Sequence, residues 1–179
     1  MKPLPQSIQP KKWDKVFYYP DGPVVYNTPD YKHLFAADKI EIIDNVIERA
    51  DEVFEKLFAN RDGQIIIHGD LHYWNVHVHR GELYVMDFED INLGYPVQDV
   101  AVTLYYGRQR EGYLQWKNSF EKGYCSIRDW PVESEKTIET LMAARTVMFI
   151  NYVARVNPSP QTYIEDRSED LQQFLAKNE

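Results

Sequence analysis

The sequence predicts an α+β fold that is mostly helical and contains a small β-hairpin. Residues 38–59 and 135–156 repeat apolar side chains every three or four positions, which is the period of a helix with one buried face. Residues 76–86 instead alternate around an Arg80-Gly81 turn, which indicates a hairpin. A length of 179 residues, 44% of them hydrophobic, suits one domain with a sizeable core.

The predicted elements follow one another in a simple order. Residues 1–37 form an N-terminal arm, loose over the first twelve residues, and an aromatic-rich segment, whereas residues 38–179 form the main body. The first helix has a predicted core face made of Ile40, Ile43, Ile47, Ala50, Phe54 and Leu57. A short buried strand over Gln64–Ile67 precedes the hairpin. The remaining helices form a bundle over 99–179, with segments beginning at 99 and covering 112–124, 135–156 and 163–177.

The most informative segment is the run His68-Gly69-Asp70-Leu71-His72-Tyr73-Trp74-Asn75, which is followed by Asp87-Phe88-Glu89. Hairpin pairing is expected to bring Asn75 and Asp87 together, because they lie at opposite ends of the two paired strands. Kinases use an aspartate, an asparagine five positions later and a second aspartate in this order. The first accepts the proton of the attacking hydroxyl, and the other two hold Mg²⁺, which prefers oxygen ligands. The spacing therefore predicts phosphoryl transfer from a magnesium nucleotide.

This motif, joined to Gly94-Tyr95-Pro96-Val97-Gln98-Asp99, resembles the aminoglycoside phosphotransferase and choline kinase-like superfamily, whose fold is protein kinase-like. The resemblance is close over 65–106 and only general over the helices that follow. It implies that 38–179 is the C-terminal lobe of such a fold, with the catalytic loop at 68–75 and the metal-binding segment at 87–89.

The resemblance also implies a role for each residue of the motif. Asp70 resembles the catalytic base, and His72 a loop residue near the substrate hydroxyl. Asn75 and Asp87 resemble the ligands of Mg²⁺, through which ATP is bound. Two further residues resemble those that support the catalytic loop, one by packing beneath it and one by hydrogen bonds: His68 and Asp99.

No glycine-rich phosphate loop and no lysine-bearing strand precede the helix near Asp38. The N-terminal nucleotide-binding lobe is therefore expected to be absent from this chain, and ATP binding to be incomplete. The expected partners are a small-molecule hydroxyl acceptor and either a separate chain that carries the N-terminal lobe or a second copy. An apolar surface patch is expected near the hairpin and the N-terminal aromatic segment, where that lobe would dock.

Three functions remain open from the sequence. The first is an ATP-dependent small-molecule kinase that transfers the γ-phosphate to a hydroxyl, present as its C-terminal lobe. The second is a truncated, kinase-like binding module without catalysis. The third is a metallohydrolase built on the four histidines of this region, His68, His72, His77 and His79. The spacing argues against it, because no H-x-x-x-H pair on a helix and no cysteine partner accompanies them. Asp90 is left open between a second metal ligand and a loop cap.

Charge and composition exclude other classes of protein. The net charge is −8, and no cluster of lysine or arginine offers a nucleic-acid footprint. No apolar run approaches the roughly 18 residues of a membrane span, and the N-terminus lacks the apolar core of a secretion signal. The single cysteine, Cys125, agrees with a reducing compartment, so a cytoplasmic location is expected.

Overall fold

The computed structural model describes residues 11–18, 22–59 and 62–178. Within them the chain forms a mostly helical α+β fold, as the sequence predicts. The elements are α1 (Ala37–Ala59), β1 (Ile65–Ile67), β2 (Val76–His79), β3 (Glu82–Val85), β4 (Asn92–Gly94), α2 (Pro96–Gly107), α3 (Tyr113–Cys125), α4 (Glu135–Val156) and α5 (Gln161–Lys177). None of the helices in this part of the chain is long and apolar enough to cross a membrane.

Helix α4 is the centre of the helical body, because it packs against α1, α2 and α5. It begins at the predicted residue, where the Ser134 hydroxyl accepts a hydrogen bond from the Thr137 amide at 3.2 Å and so caps the first turn. Helix α1 buries part of its predicted core face, namely Ile43, Ala50 and Phe54. It also buries Val46, which was not predicted. Burial of these apolar faces holds the helices together.

The strands form two separate antiparallel pairs. β2 and β3 make the predicted hairpin, with Val76 opposite Val85 and His79 opposite Glu82. Arg80 and Gly81 both have positive φ, 51° and 82°, as the tight two-residue turns of twisted hairpins require. The second pair joins β1 to β4, with Ile65 opposite Gly94. Together they place the loop over 68–75 between the two sheets.

Two features differ from the sequence predictions. The strand over Gln64–Ile67 is not buried: Ile66 is 58% exposed and only Ile67 is covered. Among the described residues β1 has one partner strand, so its other edge is unpaired. The segment before α1 is also not loose where it is described, because the Leu93 amide donates to the Lys11 carbonyl at 2.8 Å. Trp13 lies in the core, where its ring is 6.3 Å from that of Phe54. Residues 1–10 of the predicted arm lie outside the described residues.

The hairpin side of the molecule carries an exposed apolar face, as expected from the sequence. Val78 and Leu83 are 70% and 69% exposed, and Met86 and Phe88 next to them are also exposed. The N-terminal aromatic segment does not contribute to this face in the way expected, since its described aromatic residues are mostly buried in the core. Adjacent exposed apolar side chains of this kind are uncommon on the surface of a monomer.

Candidate active site

Helix α2 holds the loop over 68–75 through its first turn. The two carboxylate oxygens of Asp99 accept hydrogen bonds from the amides of His68 at 2.8 Å and Gly69 at 2.9 Å. One turn later, the Thr103 hydroxyl donates to the Leu71 carbonyl at 2.6 Å. Burial raises the pKa of the Asp99 carboxyl above its ordinary value, although both amide hydrogen bonds act to lower it. The loop is thus attached to the helical body at its start and in its middle.

Replacing Asp99 by alanine is expected to lower the free energy of unfolding by about 2–4 kcal/mol, because two backbone amides then lose their acceptor. Urea unfolding followed by circular dichroism measures this change. Asp38→Ala is the matched control, since Asp38 also lies in the first turn of a helix but is exposed. Equal and small losses for the two variants would show that Asp99 does not hold the loop.

The His68 side chain connects this loop to the segment that follows β3. Its Nδ1 accepts from the Asp70 amide at 3.3 Å, and its Nε2 therefore donates to the Met86 carbonyl at 2.9 Å. The imidazole is buried, and its ring lies 5.0 Å from that of Phe88. One side chain thus fixes the distance between the two halves of the motif.

The Asp70 carboxylate is held by side chains from two elements. One oxygen forms an ion pair with Arg145 of α4, and the other lies 3.2 Å from His72 Nε2 and 3.5 Å from Asn75 Nδ2. The side chain of Asp70 remains 21% exposed, so it is restrained without being sealed off. A carboxylate with a fixed orientation and an open approach can accept a proton from a bound hydroxyl.

Arg145 was not among the residues selected from the sequence. Its side chain is only 4% exposed and lies beside the rings of Tyr106 and Phe149, with its guanidinium carbon 5.5 and 5.1 Å from their centres. Burial acts to lower its pKa, but the nearby oxygens of Tyr18, Tyr106 and Asp70 raise it above the ordinary value, so the guanidinium stays charged. The available signal was an arginine among the apolar residues of the predicted helix 135–156.

Asn75 and Asp87 are brought to neighbouring positions at the open end of the hairpin. Asn75 Nδ2 donates to the Asp70 carbonyl at 3.0 Å, and the Met86 amide donates to the Asn75 carbonyl at 2.9 Å. Asp87 follows directly, in the left-handed region with φ 63° and ψ 65°. Non-glycine residues rarely adopt this conformation, and it often marks a functional constraint. An amide oxygen and a carboxylate are donors that fit Mg²⁺, whose remaining ligands would be phosphate and water.

The structure does not gather the histidines into a metal centre. Among the described residues, no three histidine, cysteine, aspartate or glutamate side chains converge on one point. His77 and His79 lie exposed on β2, opposite Tyr84 and Glu82, whereas His68 and His72 belong to the loop. Asp90 uses its backbone carbonyl to accept from Asn92 Nδ2 at 2.9 Å.

The fold is that of a kinase-like protein. Residues 25–135, more than half of the chain, match the APH model, the phosphotransferase enzyme family. The chain belongs to this family. The comparison with curated proteins found no match.

Solved structures of kinases share the fold at low sequence identity. The chain is similar to amicoumacin kinase hAmiN in complex with AMP-PNP, Ca²⁺ and Ami, with a TM-score of 0.55 and 19% identity over 85% of this chain and 50% of that one. It is also similar to a thermostable mutant of aminoglycoside phosphotransferase APH(4)-Ia in a ternary complex with AMP-PNP and hygromycin B, with a TM-score of 0.58 and 14% identity over 85% of this chain and 48% of that one. The apo form of such a mutant gives a TM-score of 0.57 at 14% identity, over 83% and 48% of the two chains. The chain thus spans about half the length of these structures.

Proposed function

We propose that this chain is the catalytic lobe of an ATP-dependent phosphotransferase that transfers the γ-phosphate of ATP to a hydroxyl of a small molecule. The observation that carries the proposal is the chain of hydrogen bonds that joins Asp70 to Asn75 and Asn75 to the residue before Asp87. Phosphoryl transfer depends on positioning and on neutralising charge, and these three residues supply both.

Each residue has a separate task in this proposal. Asp70 takes the proton from the acceptor hydroxyl as its oxygen attacks the γ-phosphorus, and Arg145 holds the carboxylate in one orientation. Asn75 and Asp87 hold Mg²⁺, which neutralises the charge of the phosphates when it is bound. His68 and Asp99 maintain the loop from which these groups project. His72 Nε2 lies 3.2 Å from an oxygen of Asp70, and the centres of the His72 and Tyr106 rings are 4.4 Å apart. In this proposal His72 stands at the side where the acceptor hydroxyl enters.

The exposed apolar face of the hairpin supports a second half of the fold outside these residues. The aligned part of this chain covers only 50% and 48% of two solved relatives, both of which are complexes with AMP-PNP. We therefore propose that the nucleotide-binding half docks on the face formed by β2, β3 and Phe88, either within the same protein or as a separate chain. Without it, the same face would promote self-association.

Replacing Asp87 by asparagine is expected to weaken magnesium-dependent nucleotide binding by about tenfold or more, because one carboxylate ligand of the cation is lost. Asparagine tolerates the left-handed backbone, so the loop geometry is retained. Isothermal titration calorimetry with Mg²⁺ and AMP-PNP measures the affinity on the protein that includes its nucleotide-binding half. Asp129→Asn, an exposed carboxylate outside the motif, is the control for the change in charge. Identical affinities for the two variants would remove Asp87 from the metal site.

A second candidate function is a kinase-like binding module that holds ligand without transferring phosphate. It is favoured by the openness of the hairpin face, which leaves the proposed metal site without a cover among the described residues. A product assay with the nucleotide-binding half supplied distinguishes the two. Magnesium-dependent nucleotide binding with no hydrolysis and no acceptor phosphorylation would favour the module.

A further inference from the structure

A cavity of about 430 Å³ opens directly beside Asp70. It lies between the outer stripe of α4 and the segment that precedes α1. Four aromatic rings line it: Phe17, Tyr106, Phe149 and Tyr152. Such a cavity has the size and the apolar lining of a small-molecule site. Its position next to Asp70 gives a bound molecule access to the proposed catalytic base.

The charges in this cavity cancel. Among its described lining residues are two carboxylates, Asp70 and Asp90, and two guanidinium groups, Arg145 and Arg155. Arg145 is paired with Asp70 and buried, and its Nε has no hydrogen-bond partner among the described atoms. A cavity with this lining offers no excess of negative charge, and a ligand with several ammonium groups would leave much of its charge uncompensated when desolvated.

Arg155 forms the rim of the cavity three turns along α4 from Arg145. Its guanidinium lies against Gly22, where a side chain would overlap with Arg155 Nη1. No described carboxylate forms an ion pair with it. A guanidinium at the mouth of an aromatic cavity favours an acidic or uncharged ligand over a cationic one.

We propose that the acceptor held in this cavity is an alcohol built on an aromatic or apolar ring, carrying an acidic group or no charge, and not a polycationic aminoglycoside. This rests on the proposed phosphotransferase function. The ring packs between Tyr106, Phe149 and Tyr152, and an acidic substituent faces Arg155. The hydroxyl oxygen then forms the new bond to the γ-phosphorus, the bond to the bridging oxygen of ADP breaks, and Asp70 receives the hydroxyl proton.

Methionine methyl groups provide a test that does not depend on turnover. Met148 lines this cavity, Met142 lines a different one, and Met86 precedes Asp87. The protein is labelled with ¹³C at its methionine methyl groups. In its NMR spectra, meta-hydroxymethylbenzoate and benzyl alcohol are expected to shift the Met148 methyl signal and to leave the Met142 signal unchanged. The matched amine, meta-hydroxymethylbenzylamine, is expected to bind about threefold to tenfold more weakly than the benzoate. Hygromycin B is expected to leave Met148 unchanged.

Two variants separate ring packing from charge. Tyr152→Ala is expected to weaken benzyl alcohol binding about fivefold through loss of an aromatic contact. Its control is Tyr84→Ala on the hairpin, because the two tyrosines are 51% and 50% exposed and neither change threatens folding. Arg155→Glu is expected to reverse the preference between the benzoate and the amine. Arg128→Glu makes the same change in net charge at an exposed position that does not line the cavity and should leave the preference unchanged.

The proposal is overturned if hygromycin B shifts Met148 at lower concentration than the ring alcohols, if the ring alcohols do not shift Met148, or if Arg155→Glu leaves the preference as it was. Failure of the proposed phosphotransferase function has a different readout. In that case the Met86 methyl signal would not shift when Mg²⁺ and AMP-PNP are added to the protein with its nucleotide-binding half. Met148 would still report ring binding, so the two failures are distinguishable.

Discussion

Replacing Asp70 by asparagine is expected to lower kcat for phosphoryl transfer by about 10²–10⁴-fold, which is the usual contribution of a positioned general base. Asparagine has nearly the same shape but cannot take up the hydroxyl proton at neutral pH. The expected change is in kcat more than in KM, since the proposed acceptor site is formed mainly by the cavity beside Asp70. The measurement is a steady-state assay of product formation with the nucleotide-binding half present.

Two controls separate lost chemistry from lost structure in this experiment. Asp166→Asn changes an exposed carboxylate on α5 and should leave kcat unchanged. Asp70→Asn also leaves the buried Arg145 without its counter-charge, so thermal unfolding must be measured for each variant and the assay run well below the midpoint. A kcat within twofold of the unmodified protein, in a folded variant, would remove Asp70 from the role of base.

Replacing Gly69 by alanine is expected to lower the free energy of unfolding by about 3 kcal/mol, through a backbone conformation unfavourable to alanine combined with a steric clash. Gly69 has φ +82°, and a Cβ there would overlap with the Asp90 carbonyl oxygen and lie 2.6 Å from Asn92 Nδ2. Asp90 lies between β3 and β4, and Asn92 is the first residue of β4, so the loop cannot move away without disturbing the chain that follows Asp87. Urea unfolding gives the magnitude.

The hairpin supplies a close control for this substitution. Gly81 has the same φ of +82°, but a Cβ there would meet nothing within 4 Å. Gly81→Ala should therefore lower the free energy of unfolding only by the energy of placing alanine in the left-handed backbone conformation, about 1 kcal/mol. The difference between the two variants measures how tightly the loop approaches the residues after Asp87. Equal losses would mean that this approach does not contribute to stability.

The features that the sequence predicted well are those determined by nearby residues. The bounds of α4 follow from an apolar period that starts after a capping serine and stops before Asn157-Pro158. The contact between Asp70 and Asn75 spans five positions of one loop and needs only a local turn. The hairpin follows from alternation and an Arg-Gly turn. These signals do not depend on how distant parts of the chain pack.

The features that the sequence did not predict depend on distant contacts. The pair formed by Arg145 and Asp70 joins residues 75 positions apart, and no periodic pattern records which arginine of a helix turns inward. Strand β4 has only three residues, and its partner β1 precedes the hairpin. Trp13 is joined to a residue 85 positions away, because Gln98 Nε2 donates to the Trp13 carbonyl at 2.7 Å. Each requires the tertiary fold before it can be recognised.

The placement of Arg145 on α4 has a consequence for how such a protein could diversify. Met148, Tyr152 and Arg155 follow it along one stripe of the same helix, at spacings of three or four residues. In the proposed acceptor cavity, substitutions at these outer turns would alter which molecule binds, while Arg145 continues to hold the Asp70 carboxylate. Ligand selectivity and the orientation of Asp70 would then depend on different turns of α4. Substitutions could therefore change the ligand and leave the orientation of Asp70 unaltered.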